Sequence, residues 1–312
     1  MQDRPSDLDE HALRLVLPEW GIQPIVLAYA PVGFGDYHWI ATGADGRRWF
    51  VTAVDLRLKG PHGTAALRHA MDTADALRDL DFVVAPVRTA HGETVRQAGA
   101  RYAVSVFPYL DGIPGSFGQE LTPAQRGLVV DLLARLHEVE PPAQCAAPQR
   151  QPWHRASLEQ AIAGSDRPWE AGPFTRAAGS LVADHAKGLR RRLGEFDRLA
   201  SEVDWDVRVV THGEPHSGNL LWQGERGLLV DWDTVGLAPP ERDLWLYEGD
   251  LERYAEVSGR WPQPAALAFY RLRWALDDVA IFVDQFRRPH GRTPDTELAW
   301  SAFAGTVEEL TA

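Results

Sequence analysis

Apolar and polar positions alternate in short runs over the first third of the chain and recur at helical spacing over most of the rest. The short runs, separated by turn residues, predict five strands, at 25–32, 38–42, 48–54, 82–85 and 102–107. A helix at 64–80 is expected between the third and fourth strands, with Leu67 and Met71 on its apolar side. Ser6 is expected to cap a short first helix. The order is therefore three strands, a helix and two further strands.

A capping box marks the start of the helical remainder. Thr122 and Gln125 have the spacing of that motif, Pro123 takes the first helical position, and apolar residues follow at helical spacing. Further helices are expected over 155–164, over 175–200 and from 241 onward, with a polar loop at 212–219 and a hairpin at 219–231 between them. We predict two lobes, residues 1–108 and 109–312, with a hinge at about 107–112.

Composition narrows the class of protein. The chain has 312 residues, enough for a large apolar core and for two lobes. No run of 18 apolar residues occurs, so no membrane span is expected. The first residues lack the basic and apolar segments of a secretory signal, and Cys145 is the only cysteine, so no internal disulfide can form. These features together predict a cytoplasmic protein.

The net charge of −12 bears on possible partners. Nucleic-acid binding usually needs a basic face, and the longest basic run is 190–192, so we expect no nucleic-acid partner. An acidic surface can steer a cationic small molecule towards it, although solubility is the explanation that we favour for the charge. Only Lys59 and Lys187 are lysines, so few positions can offer a lysine to a phosphate group.

Two polar clusters, a short hairpin apart, carry the candidate chemistry. Residues 211–219 follow a predicted strand and contain Glu214 and Asn219, and residues 230–234 contain Asp231. Because the hairpin returns Asp231 to the loop, a carboxamide oxygen and a carboxylate converge there. Hard oxygen ligands suit Mg²⁺, which completes its shell with water and substrate phosphates. A carboxylate beside such a metal can orient or deprotonate a hydroxyl nucleophile.

The segment from Thr211 to Asp243 resembles the signature of the aminoglycoside phosphotransferase family, which is choline-kinase-like. That signature reads H-G-D-x-H-x-x-N, then a hairpin, then [IV]-D-W-[DE], and here the sequence is H-G-E-P-H-S-G-N followed by V-D-W-D. The later run L-A-P-P-E-R-D-L, residues 237–244, is most similar to the spectinomycin phosphotransferase type. The resemblance covers most of the chain at low identity, and its specific motifs lie in this central segment.

The resemblance implies a fold and an activity. The fold would be α+β and protein-kinase-like, with an N-terminal, nucleotide-binding lobe of antiparallel strands and one main helix and a larger, mostly helical C-terminal lobe. The activity would be Mg²⁺-dependent transfer of the γ-phosphate of ATP or GTP to a hydroxyl group. The acceptor would be an aminoglycoside or aminocyclitol antibiotic, or a related sugar-like metabolite, which connects the family with antibiotic resistance.

The resemblance also implies roles for residues at matching positions. Asn219 and Asp231 would hold the metal ions that bridge the nucleotide phosphates. Glu214 would take the place of the catalytic aspartate, which accepts the hydrogen bond of the substrate hydroxyl. His212 would pack under the catalytic loop, and Asp243 would anchor that loop from below.

Nucleotide and acceptor sites follow from the same resemblance. The turn Gly33-Phe34-Gly35 would cover the phosphates, and Thr52 falls at the strand position that faces them. Backbone groups near Phe107 and Tyr109 would meet the adenine. Acidic candidates for the acceptor site are Asp233, Asp277, Asp278 and Asp284.

Three positions depart from the family pattern. The third strand should carry a lysine for the α- and β-phosphates, but Thr52 stands there, and the nearest lysine is Lys59, within roughly 23–25 Å of extended chain. The glutamate partner of that lysine is also missing, since Asp72 is the first acid of the following helix. Glu214 replaces the catalytic aspartate, and a misplacement near 1 Å can cost on the order of a hundredfold in rate.

These departures leave three functions open. The first is the small-molecule kinase. The second is a catalytically impaired pseudokinase that binds a nucleotide or small ligand, which the missing lysine and glutamate favour. The third, metal-dependent hydrolysis, has less support because His212 and His216 lie in a loop broken by Gly213 and Pro215, unlike a helical zinc motif. The expected partners are a nucleotide and a small-molecule acceptor; the acceptor, the choice of ATP or GTP and the oligomeric state stay open.

Overall fold

A computed structural model describes residues 1–58, 63–164 and 169–312, and over this part the chain is α+β, as predicted. The strands are β1 Pro24–Ala30, β2 Tyr37–Gly43, β3 Arg48–Asp55, β4 Val95–Ala98, β5 Tyr102–Pro108, β6 Ile113–Pro114, β7 Val209–Thr211, β8 Leu220–Gln223, β9 Arg226–Leu229 and β10 Gly236–Ala238. The helices are α1 Glu10–Val16, α2 Gly63–Ala76, α3 Pro123–His137, α4 Arg155–Ala163, α5 Thr175–Ala200, α6 Glu241–Leu244, α7 Leu251–Ser258, α8 Pro264–Phe286 and α9 Pro294–Thr311.

The chain divides into two compact units. The first consists of Met1–Pro148 and Val207–Trp261 and contains the ten strands with α1, α2, α3, α6 and α7. The second consists of Gln149–Asp206 and Pro262–Ala312 and contains α4, α5, α8 and α9. The lobe boundary at 107–112, taken from the sequence, remains a prediction.

An antiparallel sheet in the order β1-β2-β3-β5-β4 forms the first part of the first unit. Side chains alternate between its two faces along each strand. Val51 and Ala53 lie on the face that packs against the residues of α1 and the turn after it, in a buried cluster with Trp39 and Leu17. Thr52 therefore lies on the opposite face of β3.

The start of the chain differs from the prediction. Asp9, and not Ser6, caps α1: its carboxylate accepts a hydrogen bond from the N–H of Ala12 at 2.8 Å. Both residue types are good caps, and the deciding factor is where the apolar side begins to pack. The capping box at Thr122 and Gln125 is present as predicted, with both of its reciprocal hydrogen bonds.

The fourth strand of the sheet is not the predicted one. Residues 82–85 form only an isolated parallel bridge between Val83 and Leu229, whereas β4 is Val95–Ala98, which pairs with β5. The apolar run at 82–85 reflects burial of Phe82 and Val84 rather than sheet pairing. Short apolar runs do not distinguish these two cases, so this strand assignment was wrong.

The second unit is held together by helix contacts rich in aromatic rings. Phe286 of α8 lies 5.8 Å from Phe303 of α9 and 5.9 Å from Phe174, measured between ring centroids. Trp300 of α9 stacks 6.0 Å from Phe174. Among the helices described, none combines the length and apolar character that crossing a bilayer requires.

Candidate active site

The polar loop after β7 is organised around the buried imidazole of His212. Its Nδ1 lies 3.3 Å from the N–H of Glu214, which donates to it, and its Nε2 lies 2.9 Å from the carbonyl oxygen of Val230. Burial lowers the pKa of His212 below its ordinary value, so the ring is neutral and Nε2 carries the proton. The ring therefore ties the loop to the segment that leads into Asp231.

Asp243 of α6, which is fully buried, receives three hydrogen bonds. The backbone N–H groups of His212 and Gly213 donate to its two oxygens at 2.8 and 2.7 Å, and His137 Nε2 lies 3.1 Å away. Burial alone would raise the pKa of Asp243, but the hydrogen bond and charge of His137 and the charge of Arg242 hold it below its ordinary value. An ionised carboxylate thus fixes the first turn of the loop.

Gly213 is required where the loop passes the guanidinium of Arg242. Its φ of 101° disfavours residues with a side chain, and an added Cβ would overlap the guanidinium. Arg242 donates to Thr211 Oγ1 and to the carbonyl oxygen of Thr234, both at 2.8 Å. This side chain therefore joins the strand before the loop to the segment after Asp231.

The backbone of Glu214 is held from both sides. Its N–H donates to His212, and its carbonyl oxygen accepts a hydrogen bond from Asn219 Nδ2 at 2.9 Å. The next carbonyl, that of Pro215, accepts from the hydroxyl of Tyr247 at 2.6 Å. The position of the half-buried Glu214 side chain is thus set by a rigid backbone.

Asn219 and Asp231 are brought close together by the hairpin β8–β9. The N–H of Val230 donates to the carbonyl oxygen of Asn219 at 3.0 Å, one residue before Asp231. Because the Asn219 side-chain nitrogen is engaged by Glu214, its oxygen is the atom suited to a metal. Asp231 is exposed and has a φ of 65°, a left-handed conformation that is uncommon outside glycine and clusters at functional sites.

A strap, residues 112–118, packs on the end of this loop. Strand β6 pairs with β8, and Ser217 Oγ donates to the carbonyl oxygen of Ser116 at 2.8 Å. An added Cβ at Gly115 would overlap the carbonyl of Ser217, so the two backbones are in direct contact. Phe117 lies edge-on to His216, with ring centroids 4.9 Å apart, and is 70% exposed.

The sheet face that carries Thr52 bears a row of neutral polar side chains. Thr52 is paired with His38 of β2 on one side and with Ser105 of β5 on the other. His38 Nδ1 lies 3.2 Å from Thr52 Oγ1, and the imidazole stacks on Phe50 with centroids 5.0 Å apart. The turn with Gly33 reaches this row, since a Cβ at Gly33 would lie 3.3 Å from His38 Nε2. The amino group of Met1 donates to the carbonyl oxygens of Val32 and Gly33.

One backbone donor of the hinge segment, the N–H of Tyr109, is engaged within the protein. Phe107 pairs with Phe50 across the sheet, and the N–H of Tyr109 donates to the carbonyl oxygen of Arg48 at 3.3 Å. Arg48 lies over the Tyr109 ring at 4.0 Å and donates to the carboxylate of Asp111 at 2.8 Å. Any adenine contact at this segment would therefore use groups other than the Tyr109 N–H.

The structure also bears on the possible substitutes for the missing lysine. Lys59 lies outside the described residues. Arg48 is engaged at the hinge, four residues from Thr52 along the strand. Asp72, the first acid on α2, accepts a hydrogen bond from Thr94 Oγ1 at 2.8 Å and lies 3.6 Å from Arg88. A lysine–glutamate pair therefore has no counterpart among these side chains.

The predicted acceptor-site acids are divided between the two units. Asp233 is in the first unit near His212, whereas Asp277 and Asp278 lie on α8 in the second unit. Asp277 accepts a hydrogen bond from the N–H of Trp153 at 2.5 Å and pairs with Arg273 at 3.3 Å. Asp284, one to two turns further along α8, lies 3.8 Å from His154. Burial and the charge of Asp277 raise the pKa of Asp278 to about 7.

Some supporting residues carried no signal in the sequence. His137 is the last residue of an apolar helix, and Tyr247 lies in a short helical turn well after the motifs. Each reaches the loop only through tertiary packing. Arg242, in contrast, belongs to the recognised 237–244 run, and its neighbour Asp243 drew attention to that segment.

Comparison with known proteins identifies the family. The sequence profile of the phosphotransferase enzyme family matches residues 36–247, more than half of the chain. Protein StrN of Streptomyces griseus is 30% identical over 244 residues, which cover 73% of this chain and 72% of that protein. The chain belongs to this phosphotransferase family, as its motifs indicated, so its assignment to the phosphotransferases is confirmed.

Solved structures show the same fold. Spectinomycin phosphotransferase in complex with ADP and spectinomycin superposes with a TM-score of 0.75 at 19% identity, covering 98% of this chain and 99% of that chain. An amicoumacin kinase in complex with AMP-PNP and Ca²⁺ gives 0.59 at 14% identity, covering 97% and 94%. A macrolide 2′-phosphotransferase of Brachybacterium faecium gives 0.55 at 18% identity, covering 96% and 98%. The expected kinase-like fold is thus confirmed.

We predict that Gly213→Ala destabilises the protein more than Gly224→Ala. Both glycines have positive φ, but a Cβ at Gly224 would meet open space whereas one at Gly213 would overlap Arg242. The conformational cost shared by both is about 1–2 kcal/mol, and overpacking adds roughly 1–3 kcal/mol for Gly213→Ala. Urea denaturation of the two variants and the unaltered protein measures the difference. Equal losses would show that the guanidinium moves aside at no cost.

We further predict that Asp278→Asn stabilises the protein above neutral pH. The folded protein keeps the Asp278 proton up to about pH 7, whereas an unfolded aspartate loses it near 3.8. Stability therefore falls as the pH rises through this range, and each unit of pKa corresponds to about 1.4 kcal/mol. Thermal denaturation from pH 4 to 8 should show a stabilisation by the variant that grows with pH, on the order of 4 kcal/mol at most.

The control is Asp277→Ala, which removes the acceptor of the Trp153 hydrogen bond and the partner of Arg273 and should destabilise instead. A stability difference between Asp278→Asn and the unaltered protein that does not change with pH would contradict the raised pKa.

Proposed function

We propose that this protein is a small-molecule kinase that transfers the γ-phosphate of ATP or GTP to a hydroxyl group. The main support is the hydrogen-bonded framework of the loop. Asn219 Nδ2 donates to the carbonyl oxygen of Glu214, and the Asn219 carbonyl oxygen accepts from the N–H of Val230, the residue before Asp231. The three residues expected to react are thus positioned by one another. Membership of the phosphotransferase family supports the reaction type.

The metal ligands would be the Asn219 amide oxygen and the Asp231 carboxylate, with Mg²⁺ as the ion. Both are hard oxygen donors, and two protein ligands suit a metal that completes its shell with water and phosphate oxygens. Bound there, the ion would neutralise charge on the transferred phosphoryl group. The left-handed backbone of Asp231 supports this assignment, since such a conformation has a cost that the fold sustains at functional sites.

Glu214 would accept the proton of the acceptor hydroxyl. The acceptor oxygen forms a bond to the γ-phosphorus as the bond from that phosphorus to the β–γ bridging oxygen breaks, and the nucleoside diphosphate leaves. The fixed backbone on both sides of Glu214 means that its longer side chain, rather than a displaced loop, would bring the carboxylate to the hydroxyl. This geometry supports Glu214 as the proton acceptor despite its extra methylene.

The acceptor we propose is an aminocyclitol, an aminoglycoside or a related sugar-like molecule with cationic groups. Related structures contain spectinomycin in one case and the amicoumacin-kinase ligand in another. The net charge of −12 would raise the local concentration of a cationic acceptor. Asp233, Asp277 and Asp278 remain candidates for binding it, and a cytoplasmic location remains the prediction from the sequence.

A pseudokinase is the second candidate, and one observation favours it. At the strand position of the phosphate-binding lysine the structure has Thr52 beside a neutral imidazole, with Asp72 engaged elsewhere. A hydrogen bond to a charged group contributes about 1.5–3 kcal/mol. Its loss would lower nucleotide affinity or rate roughly ten- to a hundredfold, unless other groups compensate.

The test is a thermal shift with ATP or GTP, each with and without Mg²⁺, on the unaltered protein and on Asp231→Asn. Asparagine tolerates a left-handed backbone, so this variant removes the charge without the strain that alanine would add. Saturation at about a hundred times the dissociation constant stabilises by roughly 2.7 kcal/mol. We expect a Mg²⁺-dependent shift for the unaltered protein and its loss in Asp231→Asn.

Each outcome of this experiment is informative. A shift that persists in Asp231→Asn would remove Asp231 from the metal site. No shift with either nucleotide in the unaltered protein would overturn the kinase, and also any pseudokinase that binds a nucleotide.

Glu214→Gln separates binding from transfer. Glutamine has nearly the same shape but cannot take up the proton at neutral pH, so nucleotide binding should be unchanged while phosphate transfer to a cationic aminocyclitol falls at least a hundredfold. Transfer is followed by release of ADP or GDP in a coupled assay. Glu214→Asp, which restores the family residue, is the matched variant that keeps the carboxylate. Undiminished transfer by Glu214→Gln would show that another group accepts the proton.

A further inference from the structure

The polar row on β2, β3 and β5 has no role in the activity derived so far, and His38 is its central feature. His38 is half-buried, lies directly opposite Thr52, and stacks on Phe50. Its ring therefore has a fixed place on the sheet face at the strand position from which the lysine is missing. His38 does not belong to any of the recognised motifs.

One nitrogen of this ring is held and the other points to the glycine turn. Nδ1 is 3.2 Å from Thr52 Oγ1, while Nε2 makes no hydrogen bond within the described part of the chain and is next to Gly33. A hydroxyl that donates to Nδ1 leaves the proton of a neutral imidazole on Nε2. Since Thr52 is β-branched and stiff at χ1, it is well suited to hold the ring in one orientation.

We propose that His38 supplies the phosphate contact that β3 lacks: with Nδ1 held by Thr52, its Nε2–H donates to a phosphate oxygen of the nucleotide beneath the Gly33 turn. This inference rests on the proposed function, because it assumes that a nucleoside triphosphate binds at this face. Gly33 has a φ of 68°, and a Cβ there would lie 3.3 Å from Nε2, so a residue with a side chain would crowd this nitrogen.

An uncharged donor on this sheet face is consistent with the absence of an acidic partner on α2. Burial lowers the pKa of His38 to about 4, so the ring is uncharged in the free protein at neutral pH. A buried lysine needs a carboxylate to offset its charge, but a neutral imidazole held by a hydroxyl does not. Asp72 is therefore not needed as the partner of a lysine, and it contacts Thr94 and Arg88 instead.

The test compares ATP with adenosine, because only ATP has the phosphates. Dissociation constants in the presence of Mg²⁺ are measured by calorimetry for the unaltered protein, His38→Leu, His38→Gln and Thr52→Val. His38→Leu should weaken ATP binding roughly three- to tenfold, the value of a neutral hydrogen bond. Adenosine binding should not change. His38→Gln, which keeps an N–H donor, should retain most of the affinity for ATP. Thr52→Val loses the hydroxyl, and its affinity for ATP should lie between those of His38→Leu and the unaltered protein.

Ser105→Ala is the matched control on the same row. Ser105 is 2% exposed and too buried to reach a nucleotide, so its loss should leave both dissociation constants unchanged. The affinity tag belongs at the carboxyl end, because the Met1 amino group contacts the glycine turn. Melting temperatures without ligand show whether each variant is folded.

The outcomes separate this inference from the proposed function. If the unaltered protein binds ATP and His38→Leu binds it equally well, the inference is wrong and the proposed function stands. If His38→Leu loses ATP and adenosine to the same extent, the residue supports the sheet rather than the phosphates. If His38→Leu does not fold, weaker binding of ATP but not of adenosine by Thr52→Val supports the inference, and unchanged binding of ATP overturns it. If the unaltered protein binds neither ATP nor GTP, both fail together.

Discussion

The carboxylate of Asp243 is the interaction on which the candidate site depends. It is fully buried, and it accepts hydrogen bonds from the two successive backbone N–H groups at the start of the polar loop, with His137 as a third donor. A buried carboxylate is stable only when such donors replace the water that it has lost. Since the loop backbone itself supplies two of them, the anion and the loop conformation stabilise each other.

The rest of the loop follows from that anchor. Fixing Gly213 places the His212 ring so that it bridges Glu214 and Val230, and this bridge brings Asp231 next to Asn219. The Asn219 amide then closes the loop on the carbonyl of Glu214. Each link is a hydrogen bond with at least one buried partner, His212 or Asn219, and the loss of a partner in such a bond is costly. The loop is therefore held by contacts within the protein itself, as positioned catalysis requires.

Most of this site was predictable from the sequence because its residues lie close together along the chain. The loop and hairpin from 211 to 234 are local, so turn chemistry and spacing were sufficient to predict that Asn219 and Asp231 converge. Tyr247 and His137 reach the loop from distant segments through packing, which no local pattern records. The capping box at Thr122 was predictable from local sequence, but β4 was misplaced because its sequence, VRQA, lacks the apolar run of a buried strand, although it forms a short hairpin with β5.

The departures from the family pattern are best understood together rather than one by one. A lysine on β3 would need an acid on α2, and removing either alone would leave a buried charge unpaired at a cost of several kcal/mol. Removing both leaves Thr52, whose hydroxyl matches the imidazole across the strand pair. The row of Thr52, His38 and Ser105 is thus neutral, while Asn219 and Asp231, the proposed metal ligands, keep their oxygen donors. Charge on the phosphates would then be offset mainly by the metal, so we expect nucleotide binding to depend more on Mg²⁺ and less on ionic strength than in a kinase with the lysine.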